Sequence, residues 1–473
     1  MFLCREKELK ELNHRYQSDE MEFIVIYGRR RVGKTALINE FCKDKPVIYF
    51  PALNSNAEDN LEALSKAIHN YRFPDSLDAP VYRSFDTAFA EITKIVRNDR
   101  VIFVIDEFPY LANEEKSIPS RLQHLLDQEW KNSKIFLILC GSSMSFMEKE
   151  VLGEKSPLFG RRTAQFKIKP LDYYDTAKFH PDLSPENNAL IYGITGGIPH
   201  YIRKLNVRDS LREAILENIM NPSSYLFEEP ENLLKQELRE PAIYNTIITN
   251  IANGASRISD IASKSGLDTS ACLKYIRVLS ELEIIQKIEP VLDKSPRKKI
   301  YRIKDFFFRF WYRFIPGNMM AVNFGKMEKF YDSMVGSYLE DYMGLVFEEI
   351  CKQYMLRRMD DLPFLPKEIG EWWGNHPGLR KEVQLDIVAQ AIKPANIAAP
   401  DQYIIGSCKY KNEKIGLDEL KLIREYASVF TKSNDEIFCM LFSKTGFTPG
   451  LYEKQTAETV QLLSLEELYH NND

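Results

Sequence analysis

The chain lacks any Cys-x-x-Cys pair, and its seven cysteines (Cys4, Cys42, Cys140, Cys272, Cys351, Cys408 and Cys439) are scattered and odd in number. That excludes a zinc ribbon and a disulfide framework, and implies free thiols in a reducing compartment. No uninterrupted apolar run reaches membrane-spanning length; Phe306-Phe307-Phe308-Arg309-Phe310-Trp311-Tyr312 is too short and is broken by Arg309. Met1 leads straight into charged residues, with no apolar signal region. The expectation is a soluble, cytoplasmic protein without membrane partners. There is no global excess of positive charge either: the formal net charge is -5, so any nucleic-acid surface must be local. What is present is ordinary for a globular chain, 44% hydrophobic and 28% charged over 473 residues. That length has room for about three domains.

Residues 28 to 35 read Gly-Arg-Arg-Arg-Val-Gly-Lys-Thr and follow the apolar run Phe23-Ile24-Val25-Ile26-Tyr27. The spacing fits G-x-x-x-x-G-K-[ST], a phosphate-binding loop, in the strand, loop and helix context it requires. Gly28 and Gly33 let the backbone curl so that consecutive N–H groups point at phosphates. The helix beginning near Lys34 adds its positive end. On this reading Gly28, Arg29, Arg30, Arg31, Val32, Gly33, Lys34, Thr35 and Ala36 surround ATP. Lys34 supplies a cation, and the Thr35 hydroxyl is a Mg²⁺ ligand.

A second apolar run, Val101-Ile102-Phe103-Val104-Ile105, ends in Asp106-Glu107. Five such residues in a row suit a strand buried on both faces of a parallel sheet, and carboxylates at its C-terminal end lie where α/β sheets place ligands. Asp106 is expected to hold Mg²⁺, directly or through water, and Glu107 to polarise the attacking water. A third strand, 135–140, ends in Gly141-Ser142-Ser143. Ser142 either contacts the γ-phosphate or water, or caps the next helix. Arg161 and Arg162 follow a turn and offer an arginine finger for phosphoryl charge.

Together with the start Arg5-Glu6-Lys7-Glu8-Leu9 and the turn Gly196-Gly197-Ile198-Pro199, these motifs resemble the archaeal-type ATPases, relatives of the AAA+ and STAND NTPases. The resemblance covers about the first 210 residues. It implies that Arg5 packs near the adenine and that the helix starting at Pro199 flanks the nucleotide. Cys4 stands where the family often has glycine.

Downstream, 211–315 reads as a helical lid followed by a winged helix. Two short amphipathic helices, 258–264 and 270–282, are separated by a Gly-containing turn, and strands 284–289 and 299–303 follow. Thr269, Ser270, Lys274 and Arg277 are expected to face a major groove, with the basic tip Lys294-Ser295-Pro296-Arg297-Lys298-Lys299 on the DNA backbone. The alternative is a protein-contact or lid module.

Residues 330–473 resemble the C-terminal domain attached to these ATPases, which is itself similar to PD-(D/E)xK restriction-endonuclease-like nucleases. Carried over position by position, the resemblance assigns Glu349, Asp386 and Lys409 to the nuclease-like site. Ser407, however, occupies the place of the Glu-x-Lys glutamate, and Gln384 stands where relatives often have an acid. A degenerate DNA-binding shell, a weak nuclease, or rescue by another acid such as Glu382 all remain open. Trp372 and Trp373 either stack on bases or pack internally. The expected fold is thus α/β: a P-loop NTPase parallel sheet, a winged helix and a restriction-endonuclease-like domain. The expected function is a Mg²⁺-dependent ATP hydrolase with catalytic residues Lys34, Asp106, Glu107 and Arg161, whose nucleotide state controls a DNA-binding tail. A nucleotide-gated protein-interaction scaffold is the alternative.

Overall fold

The structure, a computed structural model, describes residues 2–470 apart from 75, 77, 78, 98, 294, 296, 297, 394–399 and 458. It divides into two compact units. The first takes the chain as far as Pro170 and then Ile198–His200; the second takes Leu171–Gly197 and the chain from Tyr201 onward.

The first unit is built on a five-stranded parallel sheet in the order β2-β3-β4-β1-β5, from β1 (Glu22–Tyr27), β2 (Val47–Pro51), β3 (Ile102–Asp106), β4 (Phe136–Gly141) and β5 (Ala164–Lys167). The continuous apolar runs make sense in this setting, because side chains alternate across a strand and both faces are covered. Phe23, Val25, Phe103, Ile105 and Leu137 pack into one core, and Ile24, Ile26, Ile102, Val104 and Ile138 into the other. The helix Lys34–Cys42 follows β1 and buries Leu37, Ile38 and Phe41.

In the second unit the helices Ile258–Lys264 and Thr269–Glu281 precede a two-stranded antiparallel hairpin, β6 (Ile285–Ile288) and β7 (Ile300–Ile303). A mixed five-stranded sheet follows in the order β12-β11-β10-β9-β8, from β8 (Pro366–His376), β9 (Lys381–Ala391), β10 (Gln402–Lys409), β11 (Glu436–Ser443) and β12 (Val460–Ser464). β8, β9 and β10 are antiparallel neighbours, while β10, β11 and β12 run parallel. Trp372 and Trp373 are buried, and Trp372 packs at a tilt against Phe430 in this core, so the base-stacking expectation does not hold. Among the described residues no helix is long and apolar enough to cross a membrane.

Candidate nucleotide site and a C-terminal carboxylate cluster

The loop between β1 and the helix Lys34–Cys42 is shaped by close approach. A Cβ on Gly28 would stand 2.3 Å from the Ile168 carbonyl oxygen, so only glycine fits there. Gly33 caps the helix at φ +95°, in the left-handed region that favours glycine. The Pro199 ring lies 3.9 Å from where a Gly33 Cβ would be, which places Pro199 beside the loop. Arg5 ties the loop to the segment after β5, donating to the carbonyls of Val32 (3.3 Å) and Lys169. Arg30 donates to the Tyr110 hydroxyl at 2.8 Å.

Lys34 is buried, and its ammonium donates to the carbonyls of Gly28 (2.9 Å) and Arg29 (3.0 Å). An ammonium has three donors, so one remains for a phosphate oxygen. Burial pushes its pKa below the ordinary lysine value, against the opposing pull of Cys140, Glu107 and Asp106. Asp106 ends β3 beneath the loop. Its Oδ2 accepts from Thr35 Oγ1 at 3.0 Å and from the Tyr49 hydroxyl at 2.6 Å, and its Oδ1 accepts from the Glu107 N–H at 3.0 Å. Burial first, then the adjacent Asp106, raise the Tyr49 phenol well above its ordinary pKa, so it remains a donor. Thr35 and Asp106 are hard oxygen donors of the kind Mg²⁺ takes, so these residues fit the ion.

Glu107 adopts φ +52° where β3 gives way to the helix Phe108–Glu114. Its carboxylate accepts from both the hydroxyl (2.8 Å) and the N–H (3.2 Å) of Ser142, at the end of β4. Ser142 therefore neither caps a helix nor stands free; it holds the second acid. Arg161 is engaged elsewhere: its guanidinium binds Asp127 through two nitrogens at 2.8 and 2.7 Å and also donates to the Pro157 carbonyl. That arrangement counts against Arg161 as the phosphate-directed arginine. Arg162 has no hydrogen-bond or ion-pair partner among the described residues.

A second cluster forms where β9, β10 and the helix Leu417–Ala427 meet. Asp386 accepts from the Cys408 N–H at 2.9 Å and lies 3.8 Å from the Lys409 ammonium. Glu419 accepts from the Ser407 hydroxyl at 2.6 Å and stands 3.2 Å from the same ammonium. Sequence reasoning missed Glu419. It comes from a helix beyond the Ser-Cys-Lys strand, and no local spacing points to it. Glu382 is exposed and pairs across the sheet with Asn375, and Gln384 donates to Glu371 at 3.4 Å. Glu349 is set toward Gln353, from which its carboxylate accepts at 3.0 Å, and toward Tyr192. Its neighbour Glu348 is the acid under the influence of Asp386. Burial, then the charges of Asp386 and Glu371, raise the Glu348 pKa from 4.5 to about 8 against Arg302 and Arg309. Lys409 stays above its usual pKa because Asp386 and Glu419 outweigh the effect of burial.

A model of an ATPase domain found predominantly in Archaea matches residues 2–205, and a model of archaeal and bacterial proteins of unknown function matches residues 311–421. An uncharacterized protein of Methanocaldococcus jannaschii is 34% identical over 466 residues, which cover 95% of this chain and 100% of that protein. The chain belongs to this archaeal-type ATPase family. An uncharacterized ATP-binding protein of the same organism is 24% identical over 270 residues, 46% of this chain and 74% of its own. A Walker-type ATPase of Pyrococcus abyssi shares the fold, with a TM-score of 0.51 at 19% identity over 66% of this chain and 96% of that one. The archaeal-type ATPase thus carries its nucleotide loop and Asp106-Glu107 inside the first matched region, and Asp386, Lys409 and Glu419 inside or at the edge of the second.

In the hairpin of this archaeal-type ATPase, the described part of the basic tip is already neutralised. Lys298 pairs with Asp293 at 2.8 Å and donates to the Trp373 carbonyl at 3.3 Å, and Lys299 pairs with Glu289 at 3.0 Å. Lys294, Pro296 and Arg297 lie outside the described residues. By contrast Thr269, Ser270, Lys274 and Arg277 are all exposed on the helix Thr269–Glu281, and neither cation has an ion-pair or hydrogen-bond partner among the described residues.

Proposed function

We propose that this archaeal-type ATPase hydrolyses ATP with Mg²⁺ and that its nucleotide state controls DNA binding by its second unit. The observation that carries hydrolysis is the division of labour at the end of β3, where the Asp106 carboxylate is tied to Thr35 while the Glu107 carboxylate is held by Ser142. Donation of the Thr35 proton to Asp106 leaves the lone pairs of the Thr35 oxygen for a cation. Thr35 and Asp106 would hold Mg²⁺ there, which would neutralise charge on the phosphates. Lys34 keeps one donor for a phosphate oxygen. Glu107, once turned from Ser142, accepts a proton from the attacking water. Arg162 precedes β5 beside the start of β1, at the sheet end opposite the phosphate loop, so phosphoryl charge it reached would lie on another copy of the chain. Phosphate release should be readily measurable in the wild type and near zero in Lys34→Ala and Glu107→Gln. Near-zero release from all three would end the hydrolysis reading.

The helix Thr269–Glu281, within a winged-helix arrangement, supports DNA contact through its exposed, unneutralised Lys274 and Arg277. Affinity for duplex DNA should fall linearly with log salt, and Lys274→Glu with Arg277→Glu should flatten that slope by about two. If neither single- nor double-stranded DNA binds at low salt, the reading passes to a nucleotide-gated protein scaffold.

One observation favours a second reading, a restriction-endonuclease-like site in the C-terminal sheet. Glu419 places a carboxylate against Ser407, the position that lacks one in sequence. Asp386 and Glu419 are suitable oxygen donors for Mg²⁺, with Lys409 available to orient water. Among the described residues no group of three acidic, histidine or cysteine side chains is placed to hold a metal, so a cation there would rest on two protein carboxylates. Plasmid cleavage that disappears in both Asp386→Ala and Glu419→Ala would establish the nuclease. Cleavage unchanged in both would remove it.

A further inference from the structure

The Asp106 carboxylate is held by more than the nucleotide loop. Tyr49, on the neighbouring strand β2, donates its hydroxyl to Oδ2 at 2.6 Å, the same oxygen that accepts from Thr35 at 3.0 Å. The register pairs Tyr49 with Val104 and Pro51 with Asp106, so the tyrosine reaches along the sheet to the carboxylate two residues on. Donation from Thr35 and Tyr49 uses both in-plane lone pairs of Oδ2, and the Glu107 N–H takes one on Oδ1 at 3.0 Å. The Cys140 thiol on β4 also hydrogen-bonds to Asp106, so the carboxylate is held by donors from β2, β4, the loop helix and its own neighbour. A carboxylate held this way keeps the Thr35 hydroxyl proton turned toward itself, which would leave the threonine oxygen's lone pairs for a cation.

We propose that Tyr49 is a positioning residue that orients Asp106 and thereby sets the affinity of the nucleotide site for its divalent cation. This rests on the Mg²⁺–ATP reading of the site. It is also separable from that reading, because Tyr49 touches neither the loop lysine nor the threonine in any hydrogen bond described above.

The test is Mn²⁺ binding followed by electron paramagnetic resonance on the full chain with saturating ATP, beside ATP binding in excess chelator. The variants are Tyr49→Phe, which keeps the ring and removes the donor, and Tyr49→His, which keeps a ring donor. The expected result is roughly a tenfold loss of Mn²⁺ affinity in Tyr49→Phe, with metal-free ATP affinity unchanged and partial recovery in Tyr49→His. Unchanged Mn²⁺ affinity in Tyr49→Phe overturns the proposal. An equal loss of metal-free ATP binding overturns it too, by marking the tyrosine as structural. If Tyr49→Phe does not fold, Tyr49→His decides alone: Mn²⁺ affinity within about threefold of wild type supports the proposal, and a tenfold loss overturns it. A wild type that binds ATP equally well with metal and with chelator would instead remove the Mg²⁺ reading on which the inference stands.

Discussion

At Gly28 the backbone of β1 turns into the phosphate loop under the carbonyl of Ile168, and a methyl group has nowhere to go. Gly28→Ala should cost about 2–4 kcal/mol of stability and weaken ATP binding, measured by urea unfolding and nucleotide titration. A variant as stable as the wild type would show that the two segments separate without cost. Glu348 gives a pH-dependent prediction. Its pKa is raised from 4.5 to about 8, so between those values the native state retains a proton that the unfolded chain gives up. Stability should therefore decline as pH rises through that window. Glu348→Gln cannot ionise, so its stability relative to wild type should improve on the order of 2–4 kcal/mol from pH 5 to pH 8.5. Parallel pH profiles for the two proteins would contradict the buried protonated acid. The same residue shows where sequence reading stops. Glu348 and Glu349 are adjacent on one helix, and each residue rotates the side chain by about 100°, so which acid faces the cluster depends on packing that no spacing reveals.

Among the elements, the strands around the nucleotide were legible because each is a continuous apolar run ending in a polar motif, and burial on both sheet faces demands that pattern. The two helices and the hairpin of the second unit were legible for a related reason, since their apolar spacing and the turn between them are local signals. Less legible was what the polar ends do. Ser142 is spent on Glu107, Arg161 on Asp127, and Lys298 on Asp293, each through a partner distant in sequence or indistinguishable from its neighbours. Asp268 is a case where the local signal suffices: its side chain accepts from the Ala271 N–H at 2.9 Å and caps the helix Thr269–Glu281. Asp268→Ala should lower stability by about 1 kcal/mol. Because that helix presents Lys274 and Arg277, DNA retention should weaken in parallel, read out by fluorescence anisotropy. A destabilised variant with full DNA affinity would place the DNA contact on another element.

Across the whole molecule, all seven cysteines are free and buried, and burial raises the Cys42 thiol to about 12. A thiol reagent should therefore modify the native protein only slowly and react with all seven in denaturant. Rapid stoichiometric labelling without denaturant would mean that at least one core opens readily. The division into units also bears on dissection of the chain. The helix Pro185–Thr195 belongs to the second unit, where Tyr342 donates to the Gly193 carbonyl at 2.7 Å and Met343 packs closely on Gly193. A fragment ending near residue 210 would strip that helix of these partners and expose Leu190, Ile191 and Ile194. Such a fragment should sediment as aggregates, whereas monodisperse behaviour would show that the helix finds cover within the fragment. A feature of the C-terminal sheet carries a similar consequence. Its outermost strand, β8, pairs on one side only, yet its open side receives the Val291 N–H on the Glu371 carbonyl (2.8 Å) and Lys298 on the Trp373 carbonyl, beside an ion pair of Arg302 with Glu371 at 2.6 Å. The hairpin thus serves as a selvedge for the sheet. It occupies carbonyls on this edge that would otherwise be open to a strand from another chain.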